Sequence, residues 1–240
     1  MVRILAVAMI ALLNQSTVAS RSETVVWAWE RPEALQTLPP SYGVAVVSGF
    51  IRLRGGAMIV ARGRRFPLVL GAEPRQTIGV VHIEIDQTEP LDWTPALQSQ
   101  VVAAALAFAR PFGSVQVDME VRQSQHGALL DVLNALRSGL AKGTTLSMTA
   151  LASWCDTEHW LAMAPVDEIV PMMFRMGRDS YRLRARLDAG GDFTEPRCRT
   201  AIGISTDAPV TTPPGRRVYI FNPHSWDPAA LQAVENKDIR

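Results

Sequence analysis

Two carboxylates, Asp118 and Glu120, lie two residues apart at the end of the apolar run SVQVDME, residues 114–120. Side chains at positions i and i+2 of a β-strand point to the same face, with Cα atoms ~6.7 Å apart. Like charges in a partly dry site raise one pKa, which leaves a protonated acid beside an ionised partner at neutral pH. The pattern therefore predicts a catalytic pair, with Glu120 as proton donor and Asp118 as its ionised partner.

A second run, VVHIEID at residues 80–86, shows the same separation of polar and apolar faces. His82, Glu84 and Asp86 share one face, and the intervening side chains are apolar. A parallel strand covered on both faces is usually apolar throughout. In a barrel the apolar face must meet the helices, so we expect the polar face to point towards the barrel axis. The alternative is an internal hydrogen-bond network without chemistry.

Other polar and aromatic residues fall late in their runs, at the end where β/α barrels place active sites. Asp156 is a further acid in such a position. Flat aromatic rings suit the apolar faces of sugar rings, which favours Trp29 and Trp154 as stacking residues. The expected substrate-binding residues are Trp29, Glu30, Glu84, Asp86, Gln116, Trp154, Arg175, Asp207 and Asn222.

Eight β-rich runs alternate with helical stretches and must position these residues. Alternation of this kind predicts a parallel sheet with right-handed crossovers, and eight units predict a (β/α)8 barrel. An open doubly wound sheet is the alternative. The predicted strands are Thr24–Trp29, Gly43–Leu53, Thr77–Asp86, Ser114–Glu120, Thr145–Trp154, Glu168–Met176, Ala201–Asp207 and Arg217–Asn222.

The helical signals differ in strength along the chain. Thr94 can cap a helix that begins at Pro95, and the apolar spacing after Glu120 predicts a second helix ending at Gly143. Shorter helices are predicted at Arg31–Leu38, Thr157–Met163, Asp179–Leu187 and Pro228–Glu235. Residues 54–76 lack a helical period and instead predict a β-hairpin that turns near Arg62–Arg64. The expected fold is a compact, slightly irregular barrel with this hairpin in place of one helix.

Composition limits the class of protein. The chain has 240 residues, a formal net charge of +1 and 48% hydrophobic residues, which suits one globular domain at residues 21–240. Phosphate binding needs a basic surface, so nucleic acid is not an expected partner. No phosphate-cradling glycine loop or dinucleotide fingerprint is present, so no cofactor is expected.

Residues 1–20 have the pattern of a cleaved signal peptide. One Arg precedes the apolar run Ile4–Leu13, and Val18 and Ser20 supply small residues for cleavage. The run is short for a span of ~20 residues, although an uncleaved anchor or a buried first helix remains an alternative. The prediction is a periplasmic or secreted bacterial protein with no stable membrane insertion after cleavage.

The chain has two cysteines, Cys155 and Cys198. Cys155 follows the fifth predicted strand and Cys198 precedes the seventh, which places them near opposite faces of a barrel. Bridged Cα atoms must lie within ~7 Å. The barrel therefore predicts that these two cysteines do not form a disulfide.

Two resemblances add to this interpretation. The pieces VVWAWERPE, VVHIE, VQVDME, LSMTALASWC and PVDEIVPMMFRMG resemble an exported bacterial family that is known only as a domain of unknown function. FGSVQVDME is similar to the fourth-strand signature D-G-x-D-x-D-x-E of chitinase-like glycoside hydrolases. Asp118 and Glu120 match its last two acids, and Gly113 and Gln116 stand where its first two aspartates would be. The resemblance implies that Glu120 is the general acid and that Asp118 assists attack by the acetamido group of the substrate.

Three functions follow from these patterns. The first is a glycoside hydrolase-like enzyme, or a lyase, acting on an envelope or extracellular polysaccharide through carboxylate acid/base catalysis. The second is a barrel that binds a carbohydrate ligand without cleaving it, which the residues at Gly113 and Gln116 keep open. The third is a metal-dependent hydrolase with nitrogen and oxygen ligands, which would be His82, Glu84, Asp86, Asp118 and Glu120.

Overall fold

The computed structural model describes residues 23–208 and 210–236. The predicted signal peptide, residues 1–20, and the predicted domain start at Arg21 lie outside the described residues. None of the helices within the described ranges is long and apolar enough to cross a membrane.

The described chain folds as an α/β barrel. In chain order the strands are β1 (Thr24–Ala28), β2 (Glu33–Leu35), β3 (Gly43–Arg54), β4 (Ala57–Gly63), β5 (Leu68–Leu70), β6 (Thr77–Ile85), β7 (Ser114–Met119), β8 (Thr145–Leu151), β9 (Glu168–Met172), β10 (Ala201–Ser205) and β11 (Arg217–Phe221). The α-helices are α1 (Pro95–Ala109), α2 (His126–Gly139), α3 (Trp154–Thr157), α4 (Ser180–Asp188) and α5 (Pro228–Asn236).

Eight parallel strands close into a ring in the order β1, β3, β6, β7, β8, β9, β10 and β11. The ring closes because β1 pairs in parallel with both β3 and β11. These are the eight predicted strands, so the predicted barrel is confirmed and the open-sheet alternative is wrong. The eight ring strands run the same way, so their carboxyl ends form one mouth and their amino ends form the base.

β4 lies outside the ring and pairs antiparallel with β3, which confirms the hairpin. The predicted turn near Arg62–Arg64 is wrong, because the chain turns at Gly55 and Gly56. Gly55 has a φ of +52°, a left-handed conformation that glycine adopts without a steric penalty. Arg62 instead lies within β4, opposite Phe50.

A helix does not form at Arg31–Leu38. Glu33–Leu35 is the short strand β2, which pairs in parallel with β5 outside the ring. Glu33 is buried, accepts a hydrogen bond from the Trp226 backbone N–H at 2.5 Å and pairs with Arg31 at 2.9 Å. These tertiary contacts override the local helix preference of the segment.

The other helices lie close to their predicted positions, except that α2 ends at Gly139 rather than at the predicted Gly143. Thr94 caps α1 by accepting a hydrogen bond from the Leu97 N–H at 3.2 Å, with Pro95 at the first position. The predicted Thr157–Met163 helix divides into the end of α3 and a 3-10 helix at His159–Met163. α4 and α5 match the predicted helices at Asp179–Leu187 and Pro228–Glu235 within one residue at each end.

The strands separate two hydrophobic clusters. An outer cluster joins strand residues such as Val81, Ile83 and Val117 to the helices. An inner cluster fills the barrel axis and includes Trp27 and Tyr219. Because side chains alternate along each strand, the polar side chains of β6 and β7 point into the axis as predicted.

The prediction that Cys155 and Cys198 do not form a disulfide is wrong. Cys155 and Cys198 form a disulfide with Cα atoms 6.0 Å apart. Cys155 lies on α3, where the chain has already turned down the outside of the barrel, and Cys198 lies on a 3-10 helix at Pro196–Arg199. Both are buried in the outer layer, so a position just before or after a strand does not fix the height of a residue in that layer. Asp156 belongs to the same layer and pairs with Arg182 and Arg186 of α4.

Candidate active site

A hydrogen-bonded triad lies in the axis below the mouth, where β6, β7 and β8 run side by side. Asp118 Oδ2 lies 2.6 Å from His82 Nδ1, and Thr149 Oγ1 donates to Asp118 Oδ1 at 2.6 Å. His82 and Asp118 are paired in strand register. The alternation of each strand brings all three side chains to the inner face, which requires no special loop. Asp118 retains only 6% of its exposure, and both of its carboxylate oxygens are occupied.

Within the triad, the contact between Asp118 and His82 lowers the pKa of Asp118 and raises the pKa of His82. Burial raises the pKa of Asp118, but the charge and hydrogen bond of His82 and the hydrogen bond of Thr149 outweigh it, so its pKa lies below 3.8. Burial lowers the pKa of His82, but the hydrogen bond and charge of Asp118, with the charges of Glu84 and Glu120, raise it above 6.5. Asp118 is therefore the ionised partner, and His82 is an imidazolium at mildly acidic pH.

Glu120 lies beyond the end of β7 and is exposed. It lines a cleft of about 540 Å³ together with His82, Glu84, Arg122 and Trp154. Asp118 does not line this cleft. In the described part of the chain Glu120 makes no hydrogen bond or ion pair, so its carboxyl is available to a ligand. The cleft thus presents one free carboxyl next to an imidazole that is held from behind.

Aromatic rings surround His82. The Trp29 ring meets it edge-on at 5.9 Å between centroids, and Phe50 lies at 5.5 Å on a tilted plane. Trp29 also lines a second cleft of about 230 Å³ with Phe174, Arg175 and Phe221. The Trp29–His82 ring contact therefore joins one lining residue of each cleft.

Three predicted binding carboxylates are paired with arginine. Glu84 forms a bidentate pair with Arg52 at 2.8–3.1 Å, and Glu30 pairs with Arg62 at 2.5 Å. Burial acts to raise the pKa of Glu30, but the Arg62 pair and other hydrogen bonds bring it below 4.5.

Asp86 is the third paired carboxylate. It binds Arg54 at 2.8 Å and the Thr88 hydroxyl at 2.6 Å. Hydrogen bonds from Thr88, with that from Arg54, lower the pKa of Asp86 to about 2. Glu30, Glu84 and Asp86 thus each have an arginine partner within the protein, in contrast to Glu120.

Other predicted binding residues are turned towards the protein. Gln116 is fully buried in the axis, where it accepts a hydrogen bond from Trp27 Nε1 at 2.7 Å and contacts Ser147 at 3.3 Å. Asn222 is buried and its side chain accepts hydrogen bonds from Thr206 and from the His224 backbone. Trp154 is 6% exposed, and its ring packs against His126 and Trp160, so only an edge reaches the cleft.

Asp207 and Arg175 are exposed at the mouth. Asp207 accepts a hydrogen bond from the Ser205 hydroxyl. Arg175 makes no hydrogen bond or ion pair with any described residue, and its φ is +54°. Its backbone is therefore in the left-handed region, which costs an L-residue about 1–2 kcal/mol.

The proposed metal ligands do not converge. No group of three or more His, Cys, Asp or Glu side chains among residues 23–208 and 210–236 is placed to hold a metal ion. Glu84 and Asp86 are bound by arginines, and a cation there would have to displace them.

The base of the barrel holds a second buried charge cluster. Glu168 accepts hydrogen bonds from Tyr219 at 2.6 Å and from Arg217 at 3.2 Å. Arg217 also donates to Gln76 Oε1 at 2.5 Å. No sequence pattern singled out these residues, because the partners come from β9, β11 and the segment before β6.

Comparison with known proteins adds no relative, because no family model, curated protein or solved structure matches this chain. The sequence predicted Asp118 and Glu120 as a pair and considered His82 only as a metal ligand, whereas in the structure Asp118 contacts His82 and Glu120 lines the cleft. The shared register of His82 and Asp118 could have been inferred once β6 and β7 were taken as neighbours. No sequence pattern indicated that Phe174 and Phe221 line a cleft, because a phenylalanine at the end of a strand is typical of a hydrophobic core.

Proposed function

We propose that this protein is a glycoside hydrolase-like enzyme that cleaves an envelope or extracellular polysaccharide at the mouth of its barrel. Glu120 serves as the proton donor, and Asp118 acts through His82. The proposal depends on the different environments of the two carboxyl groups in the D-x-E motif. Asp118 is buried, ionised and fully hydrogen-bonded, whereas Glu120 is unpaired on an open cleft next to His82.

The chemistry assigns one role to each group. The Glu120 carboxyl gives its proton to the glycosidic oxygen as the bond to the anomeric carbon breaks. Water supplies the hydroxyl that joins the anomeric carbon, and the proton released from that water restores the carboxyl. The imidazolium of His82, whose Nδ1 is held by Asp118, presents its other nitrogen to the cleft as a donor to a substrate oxygen.

Asp118 is a positioning residue in this scheme. Both of its oxygens are engaged, at 2.6 Å each, by His82 and Thr149, so direct assistance to a substrate acetamido group would require breaking one of these bonds. The Trp29 ring beside His82 lines the second cleft and offers apolar surface to a sugar ring.

A location outside the cytoplasm fits the same proposal. The Cys155–Cys198 disulfide suits an oxidising compartment, and the sequence of residues 1–20 has the pattern of a cleaved signal peptide. Periplasmic or secreted protein would meet polysaccharide substrates directly.

A carbohydrate-binding barrel without catalysis is the second candidate. Most glycoside hydrolases use two carboxyl groups that flank the scissile bond. Here Glu30, Glu84 and Asp86 are paired with arginines, and only Glu120 lines the larger cleft as an unpaired carboxyl in the described chain. The lack of a second free carboxyl at this cleft is the observation that favours binding alone.

The two candidates separate when purified protein is incubated with a panel of bacterial and plant polysaccharides. We expect Glu120→Gln to lower the cleavage rate by about 10²–10⁴-fold, as for loss of a general acid, with the melting temperature unchanged. Glu89→Gln is the matched control, because Glu89 is an exposed carboxylate on the loop after β6. Turnover by Glu120→Gln at the wild-type rate would contradict the acid role. Glycans that raise the melting temperature without any cleavage would support the binding barrel.

A further inference from the structure

We propose that the cleft beside Arg175 is a subsite for an acidic sugar, in which the Arg175 guanidinium binds the carboxylate of a uronic acid residue. This inference rests on the proposed glycan site and specifies its substrate class. The substrate would then be a carboxylated polysaccharide rather than a neutral one.

The cleft has the shape and lining of a single-sugar subsite. Its volume of about 230 Å³ is below the ~300–1,000 Å³ typical of sites for drug-sized ligands, which suits one sugar ring of a longer chain. The half-buried rings of Trp29 and Phe174 supply its aromatic surface, and both pack on the buried Phe221 ring, with centroids 6.3 Å and 4.8 Å from it. A sugar ring can lay its apolar C–H face on such a surface.

The cation of this cleft is available. Arg31, which also lines the cleft, is bonded to Glu33 and to the carbonyl oxygens of Asn222 and Pro223. Arg175 has no such partner in the described ranges and is exposed at the mouth. A guanidinium can bind a carboxylate through two parallel N–H···O bonds, which matches the planar carboxylate of a uronic acid.

The backbone at Arg175 supports a role for the side chain. Its φ of +54° makes it the one non-glycine residue in the left-handed region among the described residues. A glycine or asparagine would occupy this conformation at lower cost. Strained residues of this kind concentrate at ligand-binding sites, and the strain here places a cation at the rim of the aromatic cleft.

The subsite lies next to the reacting groups. Trp29 lines the Arg175 cleft, and its ring contacts His82, which lines the Glu120 cleft. A polysaccharide that crosses the mouth would therefore present one residue to Glu120 and a neighbouring residue to Arg175. Arg52 and Arg54, also near the mouth, pair with Glu84 and Asp86, whereas Arg175 forms no ion pair with any described residue.

The test measures binding of oligogalacturonate and oligomannuronate and of the same oligomers with their carboxyls methyl-esterified. Esterification removes the negative charge and keeps the sugar ring and linkage. We expect the wild-type protein to bind at least one free acid about tenfold more tightly than its ester, by isothermal titration calorimetry. Equal affinity for acid and ester in both series, or binding of neither acid, would overturn the proposal.

Variants at the cation make the test specific. Arg175→Asn removes the charge and suits the left-handed backbone, so it should fold normally and lose about tenfold in affinity for the free acid. Its affinity for the ester should not change, and Arg175→Lys should restore part of the acid affinity. Arg110→Asn is the control, because Arg110 is an exposed arginine at the end of α1, which precedes β7 at the base. Equal losses in Arg175→Asn and Arg110→Asn would overturn the proposal.

Failure of this inference differs from failure of the proposed catalysis. If the acidic oligomer binds in a way that depends on Arg175 and no glycan is cleaved, the subsite proposal is supported and the hydrolase proposal is contradicted. Cleavage of neutral glycans that depends on Glu120 and is unaffected by Arg175→Asn would support the hydrolase and remove the subsite.

Discussion

The base and the mouth of the barrel both hold charged side chains near the axis, but these side chains have different partners at the two ends. At the base Glu168 is bonded by Arg217 and Tyr219, and all three side chains are buried. At the mouth Asp118 is bonded by His82, while Glu120 has no hydrogen bond or ion pair in the described part of the chain. Cavity volume does not separate the two ends, since the base has a cleft of about 420 Å³.

The two ends differ in whether the protein itself supplies the partners of their charged side chains. At the base of the barrel, Glu168 and Arg217 neutralise each other inside the protein. This arrangement is expected of an end that serves stability. At the mouth the protein supplies partners for Asp118, Glu84 and Asp86 but leaves Glu120 and Arg175 to solvent or ligand. We therefore propose that the base stabilises the barrel and that the mouth binds and processes a glycan.

The largest expected effect is on stability, at the base. Arg217→Met leaves Glu168 buried without its cation, which costs about 3–5 kcal/mol when one partner of a buried pair is removed. Urea denaturation of wild type and variant measures this free energy of unfolding. At the mouth, Glu120→Gln should change it by less than about 0.5 kcal/mol. Equal losses at the two ends would remove the contrast between them.

The disulfide tests whether the outer layer adds stability independently of either end. Replacing both Cys155 and Cys198 with serine should lower the free energy of unfolding by about 2–4 kcal/mol, since 43 residues separate the cross-linked positions. Reduction of the wild-type protein should lower its stability to the level of the double variant. A reduced protein as stable as the oxidised one would show that the cross-link is not formed or does not constrain the unfolded chain.

The triad at the mouth should cost less to break than the pair at the base. Asp118→Asn removes the anion that holds His82, with an expected loss of about 1–3 kcal/mol. The pKa of His82, followed by NMR titration, should fall because its main charge partner is gone. Thr149→Val is the matched variant, because it removes one hydrogen bond to Asp118 and keeps the charge pair. A His82 pKa that is unchanged in Asp118→Asn would contradict the observed contact.

The smallest expected effect is the pH dependence of the triad. His82 has a raised pKa when folded, so its stabilising contribution is fully present below its unfolded value near 6.5 and is lost as pH rises through the folded value. Asp118 has a lowered pKa, so its contribution is present above 3.8 and is lost as pH falls through its folded value. The stability difference between wild type and His82→Gln should therefore be largest at mildly acidic pH and should shrink towards alkaline pH. A difference that grows with pH would contradict the assignment.

The sequence patterns predicted more of the fold than of the candidate site. All eight ring strands were predictable, because burial on one or both faces leaves a strong apolar signal in each run. The β2 strand and the disulfide were not, since both depend on segments that meet outside the ring.

Within the site, the face of Asp118 and Glu120 follows from strand alternation, but their partners do not. Whether Asp118 meets Glu120 or His82 depends on the register between β6 and β7. Gln116 and Asn222 show the same limit, because a polar residue late in a strand can bind either a ligand or a neighbouring backbone.

The most direct test of the central claim is a crystal structure of Glu120→Gln with the oligosaccharide that the protein binds most tightly. We expect the sugar chain to cross the mouth over Trp29, with a glycosidic oxygen within hydrogen-bond reach, about 2.6–3.2 Å, of the side chain at position 120. His82 should contact a substrate oxygen through its outward nitrogen. A glycan bound at the base, or on the outer surface away from His82 and position 120, would contradict the claim.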